Sequence, residues 1–179
     1  VTFDELSRWY LQLPQVKAKK SYTRDRYSVR ELTRFFSGKV IKDITVNQVE
    51  AYRQKRLAEV SYRKNNVRPA TVNREMACLR YMLNLAEQEG MIDSLPFKKL
   101  KALKENNCRD RILSGEEYEK LLSSCPLYTR QVVKVAYYTA MRQSEILNLR
   151  WDRVDLKNQV IRLRPEDTKT NDGRTIPLH

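Results

Sequence analysis

Hydrophobic side chains in the first hundred residues recur at the three- and four-residue spacing of amphipathic helices. The clearest run is Val72, Met76, Leu79, Leu83 and Ala86, whose steps of four and three form one continuous apolar stripe. The same spacing predicts earlier helices that begin near residues 2, 21 and 45. Residues 1–102 are therefore predicted to form a bundle of about four helices.

Short polar motifs mark where these helices begin and end. Thr2 with Glu5, and Thr45 with Gln48, have the spacing of a capping box, in which each side chain bonds the other residue's backbone N–H. Gly90 follows the last apolar run, at a place where a left-handed residue commonly ends a helix. The sequence therefore predicts the ends of three of these helices as well as their apolar faces.

The pattern changes after residue 102. Residues 103–110 are polar and show no periodicity, which predicts a linker between two domains. Beyond the linker, Ser114 and Glu117 form a third capping box, and the helix that they open is predicted to bury one face. That face consists of Tyr118, Leu121 and Leu122.

A further apolar helix is predicted over 129–138. Its two tyrosines, Tyr137 and Tyr138, could be considered as nucleophiles. Their position on an apolar helix instead favours packing in the core. A short amphipathic segment follows, in which Ile146 and Leu149 lie one turn apart.

Alternating positions replace the helical spacing near the end of the sequence. Residues 160–164 alternate between apolar and polar side chains, as in a half-buried strand. Residues 171–173, Asn-Asp-Gly, predict a hairpin that joins 168–170 to 174–178. The predicted fold is therefore mainly α with a small antiparallel β-sheet, in which a helical N-terminal bundle precedes an α+β domain.

The balance of charge favours a polyanionic partner. Lys and Arg number 35 against 22 Asp and Glu, which gives a net charge of +13. Residues 1–102 hold 21 basic and 11 acidic side chains, so +10 of this excess lies in the predicted bundle. Such an excess is more typical of nucleic-acid binding than of binding to an acidic membrane surface. The plain alternative is a soluble protein that happens to be basic.

Several functional classes are excluded by features that the sequence lacks. No apolar run approaches the roughly 18 residues of a membrane span, since Lys134 interrupts the best candidate, 132–138. Neither a phosphate-binding loop nor a dinucleotide fingerprint is present. Cys78, Cys108 and Cys125 match no zinc or disulfide spacing, so we expect no metal, no cofactor and a reducing cytoplasmic setting.

The strongest chemical signal lies in residues 139–151, TAMRQSEILNLRW. This segment resembles the pattern around the first catalytic arginine of the tyrosine recombinase (phage integrase) family. Arg142 falls on that arginine and Glu145 on the acidic residue three places later. Lys169, between two threonines, is similar to the family's catalytic lysine. The basic helical module resembles the family's core-binding domain, so the resemblance covers essentially the whole chain.

This resemblance implies a domain organisation and a reaction. Residues 1–102 would be a SAM-like core-binding domain, 103–110 a linker, and 111–179 the N-terminal portion of the catalytic domain. The family cuts and rejoins DNA at specific sites through a 3′-phosphotyrosyl intermediate, without metal or nucleotide energy.

The resemblance also assigns roles to three side chains. Arg142 would clamp the scissile phosphate, because a guanidinium stays charged and can bind two oxygens at once. Lys169 would protonate the departing 5′-oxygen, and Glu145 would orient its neighbours. The alternative for Arg142 is an exposed helix arginine that only pairs with Glu145 at i, i+3.

The sequence departs from the family's pattern at two levels. Ala140 and Ser144 stand where glycine is usual, and a left-handed backbone there would cost about 1 kcal/mol. The family's H-x-x-R motif and nucleophilic tyrosine lie well beyond the lysine, whereas this chain stops ten residues after Lys169. His179 is too early for H-x-x-R and is expected to be a strand-end residue or the start of a tag. We therefore expect this fragment to be inactive alone.

Double-stranded DNA is the expected partner, mainly through the N-terminal bundle. Any one basic side chain there could be a solvated surface charge, but their accumulation favours phosphate contacts. The candidates are Arg53, Lys55, Arg56, Arg63, Lys64, Arg68, Arg74 and Arg80. By resemblance, the full-length protein would form a homotetramer on synapsed sites, whereas the fragment would be monomeric without DNA. A cytoplasmic protein of bacterial or phage origin, without membrane association, is expected.

Two other functional classes stay open on the sequence. A DNA-binding regulator would use the helical module without chemistry, and a longer native sequence without H-x-x-R and a later tyrosine would favour it. A type IB topoisomerase-like enzyme would share the catalytic architecture. The compact module at 1–102 favours a recombinase over the topoisomerase.

Overall fold

The computed structural model of the protein describes residues 1–61, 64–95, 100–106 and 110–178. The chain divides into two compact units, Val1–Cys108 and Arg109–His179. Each unit has a hydrophobic core of its own.

Besides a 3₁₀ turn at Ile41–Asp43, the described part of the first unit contains four longer α-helices and one single-turn α-helix. They are α1 (Phe3–Gln12), α2 (Pro14–Lys17), α3 (Tyr22–Phe36), α4 (Val46–Ala58) and α5 (Pro69–Gln88). The predicted helical bundle is confirmed. The capping boxes at Thr2 and Thr45 are both present, and Gly90 has the left-handed φ of 69° predicted after α5.

Aromatic rings form the centre of the first unit's core. Phe36 lies between Phe3 and Tyr52, with ring centroids 5.3 and 5.6 Å away. The apolar stripe of α5 packs into the unit's interior, and burying each Val or Leu side chain of such a stripe stabilises the fold by about 1.5–3 kcal/mol. The fully buried members of the stripe are Val72, Leu79, Leu83 and Ala86.

The second unit combines helices with a small sheet. Its elements are α6 (Gly115–Ser124), α7 (Leu127–Thr139), α8 (Gln143–Leu147), β1 (Val154–Asp155), β2 (Val160–Leu163) and β3 (Arg174–Pro177). The sheet is antiparallel with β2 in the centre, and Ile161 of β2 pairs with Val154 and Ile176. The core contains Met141, Ile161, Leu163 and Ile176. The predicted mainly α fold with a small antiparallel sheet is confirmed.

The hairpin predicted around residues 171–173 is wrong in its first strand. β3 pairs with β2, so residues 168–170 form no strand. They belong to a connection over 164–173 that contains a single 3₁₀ turn at Pro165–Asp167. β2 is the better partner, because it supplies apolar side chains for the buried face and residues 168–170 do not.

Two predictions of burial in the second unit are also wrong. Tyr137 and Tyr138 are 51% and 65% exposed, and α7 buries none of its residues. Leu121 is 41% exposed, whereas Tyr118 and Leu122 on the same helix are buried. The physical reason is that apolar spacing identifies the apolar face of a helix, but it does not ensure that another element covers that face.

Helix α5 holds the beginning of the predicted linker. The Asn73 amide donates from Nδ2 to the carbonyl of Leu103 at 2.9 Å, and the Leu103 N–H donates to Asn73 Oδ1 at 2.8 Å. Residues 100–106 are described, whereas 107–109 lie outside the described residues. The ordered chain of the first unit therefore extends past residue 102.

Candidate active site and nucleic-acid interface

Arg142 lies where the chain turns sharply between two helices. α7 ends at Thr139, and α8 begins at Gln143, directly after Arg142. Ala140 makes the turn with a left-handed φ of 50° and ψ of 25°. This is the conformation in which the alanine at a usual glycine position costs free energy. Ser144 lies inside α8, where a glycine is not needed.

Glu145 holds this turn from the buried side. One carboxylate oxygen, Oε2, accepts from the Arg142 N–H at 2.8 Å, and the other, Oε1, accepts from Arg142 Nη1 at 2.9 Å. The Glu145 side chain is 1% exposed, whereas that of Arg142 is 46% exposed. One buried carboxylate thus fixes both the backbone and the guanidinium of Arg142.

A second arginine on Glu145 was missed by the sequence analysis. Arg174, the first residue of β3, donates from Nη2 to Glu145 Oε2 at 2.7 Å. Burial would raise the pKa of the Glu145 carboxyl, but the Arg142 N–H and the guanidiniums of Arg142 and Arg174 hold that pKa below its ordinary value. No local motif identifies Arg174, because 29 residues separate it from Glu145.

Lys169 lies on the exposed part of the connection between β2 and β3. The residues just before it are fixed: Asp167 accepts from Arg153 Nε at 2.7 Å and from the Arg164 N–H at 2.9 Å. The contact with Arg153 holds the pKa of Asp167 below its ordinary value. Thr168 is 4% exposed. The base of the connection is therefore anchored, while Lys169 itself reaches solvent.

The structure brings two of the three predicted active-site residues together. Arg142 and Glu145 are in direct contact. Within the described ranges, no hydrogen bond or ion pair joins Lys169 to either of them.

Five of the basic side chains proposed for DNA contacts are exposed: Lys55, Lys64, Arg68, Arg74 and Arg80. Arg80 also donates from Nη2 to the carbonyl of Leu100 at 3.0 Å. Arg63 lies outside the described residues.

Arg53 and Arg56 are engaged inside the first unit, so their burial gives less support to the predicted DNA contacts than the exposure of the other five side chains does. Arg53 is 5% exposed and donates to Glu50 at 2.8 Å. Arg56 has a side chain that is 13% exposed, and it pairs with Glu59 and with the buried Glu75. Both guanidiniums neutralise carboxylates of the protein itself, which a count of basic residues does not detect.

The part of the chain that the structure describes contains neither a cluster of metal-ligating side chains nor an apolar helix of membrane-spanning length. No group of three or more His, Cys, Asp or Glu side chains there could hold a metal ion. No helix there is long and apolar enough to cross a membrane.

Comparison with known families covers both units. The model of the phage integrase family matches residues 111–179, and the model of the phage integrase N-terminal domain matches residues 2–104. The second match alone covers more than half of the chain. The chain belongs to the phage integrase family of tyrosine recombinases. The resemblance proposed from residues 139–151 and Lys169 is therefore confirmed at the level of the family.

Curated members of this family are similar along most of the chain. An integrase of Salmonella phage P22 is 28% identical over an alignment 193 residues long, gaps included, which covers 96% of this chain and 49% of the relative. A shufflon-specific DNA recombinase of Escherichia coli is 33% identical over 168 residues, which cover 89% of this chain and 43% of the relative. The chain thus spans about half the length of these two relatives.

Solved structures of two integrases share the fold. A lambda integrase tetramer bound to a Holliday junction matches with a TM-score of 0.82 and 20% identity, over 100% of this chain and 52% of that one. The Tn1549 transposon integrase in complex with circular intermediate DNA matches with a TM-score of 0.70 and 18% identity, over 100% of this chain and 61% of that one. At these identities, the likeness establishes the fold.

Proposed function

We propose that the chain is the core-binding domain and the first part of the catalytic domain of a site-specific tyrosine recombinase. In the proposed reaction, a tyrosine oxygen attacks a DNA phosphate, the bond from phosphorus to the 5′-oxygen breaks, and a 3′-phosphotyrosyl link forms. A 5′-hydroxyl then attacks that link and rejoins the DNA. The observation that carries this proposal is the pairing of half-exposed Arg142 with buried Glu145.

Arg142 is proposed to bind the non-bridging oxygens of the attacked phosphate. Among the described residues, Glu145 alone forms a hydrogen bond or ion pair with its guanidinium, and it does so through Nη1. The other N–H groups are available to a phosphate, which can accept two of them side by side. A fixed donor of this kind acts where charge develops in the transition state, and losing one commonly costs about 2.7–4 kcal/mol.

Lys169 is proposed to be the general acid that protonates the departing 5′-oxygen. Its side chain is exposed, so it can reach a bound DNA strand. The anchored Asp167 and Thr168 before it restrict where the lysine can reach. A positioned acid typically contributes about 10²–10⁴-fold to the rate.

The first unit is proposed to supply most of the affinity for duplex DNA. We assign core binding to residues 1–102, a linker to 103–110, and the start of the catalytic domain to 111–179. Exposed basic side chains on the helical unit support this assignment, because they can neutralise phosphates. They are Lys55, Lys64, Arg68, Arg74 and Arg80.

The complete reaction is assigned to a recombinase of the length of the relatives, of which this chain covers about half. The nucleophilic tyrosine and the H-x-x-R motif are expected outside these 179 residues, so the chain alone is expected not to cut DNA. By analogy with the lambda integrase tetramer on a Holliday junction, we expect the whole recombinase to act as a tetramer on synapsed sites. The chain alone is expected to be monomeric and cytoplasmic.

The test of the active-site assignment uses the whole recombinase on a nicked substrate that traps the covalent intermediate. Arg142→Ala should abolish covalent complex formation with little change in DNA affinity, because its contribution is made in the transition state. Lys169→Ala should also be slow. A bridging 5′-phosphorothioate should restore Lys169→Ala selectively, since a thiolate leaves without a proton.

Arg162→Ala is the matched control for both variants. Arg162 is an exposed arginine of β2 that pairs with Asp155 at 3.2 Å. It lies on the face of the sheet opposite to Arg174, because the register pairs Arg174 with the neighbouring Leu163. Its variant should cut normally. Normal cutting by Arg142→Ala and Lys169→Ala would refute the active-site assignment. Equal phosphorothioate rescue of both would refute their separate roles.

The DNA-binding assignment is tested on the 179-residue chain by the salt dependence of its affinity for duplex DNA. Each lost phosphate contact reduces the slope of log affinity against log salt by about 0.9. Arg68→Ala and Arg74→Ala should each show such a reduction, whereas the exposed second-unit variant Lys157→Ala should not. Unchanged slopes in the first two variants would place the DNA on another surface.

A further inference from the structure

Arg174 has no role in the proposed reaction, yet it contacts the carboxylate that holds Arg142. Its Nη2 lies 2.7 Å from Glu145 Oε2, the same oxygen that accepts from the Arg142 N–H at 2.8 Å. The other oxygen of Glu145 accepts from the Arg142 guanidinium at 2.9 Å. A single buried carboxylate therefore joins the start of α8 to the start of β3.

The sharing of this carboxylate affects what Arg142 can do. Glu145 is 2% exposed, so its negative charge must be compensated by groups inside the protein. Arg174 provides part of that compensation from a side chain that is 37% exposed. Without Arg174, Arg142 would be the only arginine that compensates the negative charge of Glu145. We expect its guanidinium then to move closer to the carboxylate and to become less exposed to solvent.

The contact between Arg174 and Glu145 also affects the connection that carries Lys169, because of where Arg174 lies in the chain. Arg174 follows Lys169 by five residues, at the far end of the exposed part of the same connection. Gly173 packs so closely that a Cβ there would lie 3.1 Å from the Leu163 carbonyl. Asp167 and Arg153 anchor the near end of this exposed part at 2.7 Å. Glu145 therefore binds the two segments that carry Arg142 and Lys169.

We propose that Arg174 is a positioning residue of the recombinase: through Glu145 it holds Arg142 and the Lys169 connection in their working arrangement. The proposal rests on the function assigned above to Arg142 and Lys169. Arg174 uses only one N–H on Glu145. A lysine at this position can supply one such bond, so Arg174→Lys is the conservative variant and Arg174→Ala the disruptive one.

The activity arm measures single-turnover covalent complex formation by the whole recombinase, together with DNA affinity. Arg174→Ala should cut about 10- to 100-fold more slowly at unchanged DNA affinity, since small displacements of catalytic groups cost rates of this order. Arg174→Lys should recover most of the rate. Arg162→Ala removes an equal charge from the same sheet, and it should cut at the wild-type rate.

The structural arm uses the 179-residue chain and does not depend on cutting. Hydrogen exchange of the Arg142 amide, which donates to Glu145, should be faster in Arg174→Ala than in the wild type. It should be unchanged in Arg162→Ala. Thermal melting of the same variants shows whether the second unit still folds.

The outcomes separate this proposal from the one on which it rests. Normal cutting by Arg142→Ala would refute the proposed function itself. If Arg142→Ala is inactive while Arg174→Ala cuts and exchanges like the wild type, the proposed function stands and the role of Arg174 is refuted. Slow cutting by both Arg174 variants with equally lowered melting would indicate a structural role only, which also overturns the proposal.

Discussion

Glu75 in the first unit and Glu145 in the second are both buried carboxylates, and each accepts hydrogen bonds from two side chains. Glu75 is 4% exposed and binds the Tyr52 hydroxyl at 2.7 Å and Arg56 Nη2 at 2.8 Å. Glu145 is 2% exposed and binds Arg142 and Arg174. Its partners differ from those of Glu75 in their access to solvent.

Exposure to solvent decides whether the arginine of such an ion pair can also bind a ligand. The Arg56 side chain is 13% exposed and is also engaged by Glu59, so little of it is left for a ligand. The Arg142 side chain is 46% exposed, and Glu145 uses only one of its side-chain N–H groups. In both clusters the carboxylate fixes an arginine, but only in the second does the arginine face outward.

The hydrophobic core of the unit that holds Glu75 is also more extensive than the core of the unit that holds Glu145. The core of the first unit takes aromatic and aliphatic side chains from all five of its helices, and Tyr52, the partner of Glu75, is one of them. The second unit has a much smaller described core, and α7 buries none of its residues. We therefore expect a broken ion pair to destabilise the first unit more than the second.

Glu75→Gln should cause the largest loss of stability. Removing one partner of a buried pair costs about 3–5 kcal/mol, and here it takes from Arg56 its most buried partner and leaves Glu59 to compensate the guanidinium. Urea unfolding followed by tryptophan fluorescence measures this, because Trp9 packs against the first core whereas Trp151 is 81% exposed. Glu89→Gln, at the exposed end of α5, is the control and should change stability by less than about 0.5 kcal/mol.

Glu145→Gln should destabilise the second unit by a smaller amount, about 1–3 kcal/mol. Arg142 and Arg174 both reach solvent, so water can compensate part of what they lose. The denaturant dependence of amide exchange in β2 measures the stability of this unit. A loss as large as that of Glu75→Gln would show that the exposure of the arginines does not matter.

Acid should reproduce the effect of Glu145→Gln in the wild-type chain. The folded-state pKa of Glu145 lies below its ordinary value, so its contribution to stability is fully present above the unfolded pKa of about 4.3. That contribution is lost as the pH falls through the folded pKa. The stability difference between wild type and Glu145→Gln should therefore be constant near neutral pH and shrink in acid. If the stability difference persists below both pKa values, the effect of Glu145→Gln would come from the packing of the glutamine side chain and not from the lost charge.

Local signals in the sequence were sufficient for the helical unit. The capping boxes at Thr2 and Thr45 and the stripe from Val72 to Ala86 involve residues within a few turns of each other. The pairing of strands could not be predicted from local signals. β3 pairs with β2 and not with residues 168–170, which are nearer in the sequence. Turn signals locate a change of direction, but the partner of a strand depends on apolar faces far apart in the chain.

The candidate site was predictable to a similar extent. The spacing of Arg142 and Glu145 is a local pattern, and the structure shows these residues in contact. Arg174 could not be found in this way, because its contact with Glu145 spans 29 residues. The ion pairs of Arg53 and Arg56 could not be found either, because net charge does not tell which basic side chains neutralise acidic ones within the fold.

The smallest expected effect concerns the turn that presents Arg142, and it should be a gain in stability. Ala140 has a left-handed φ of 50°, a conformation that is costly for an L-residue with a Cβ and free of that cost for glycine. Ala140→Gly should therefore stabilise the second unit by about 1 kcal/mol, as measured by amide exchange in β2.

Ala136→Gly, inside α7, is the matched control and should destabilise by about 0.5–1 kcal/mol, because glycine in a helix interior loses more backbone entropy on folding. Opposite signs for the same substitution four residues apart would show that the turn before Arg142 is strained by its alanine. A loss of stability in both variants would mean that Ala140 is not left-handed in solution.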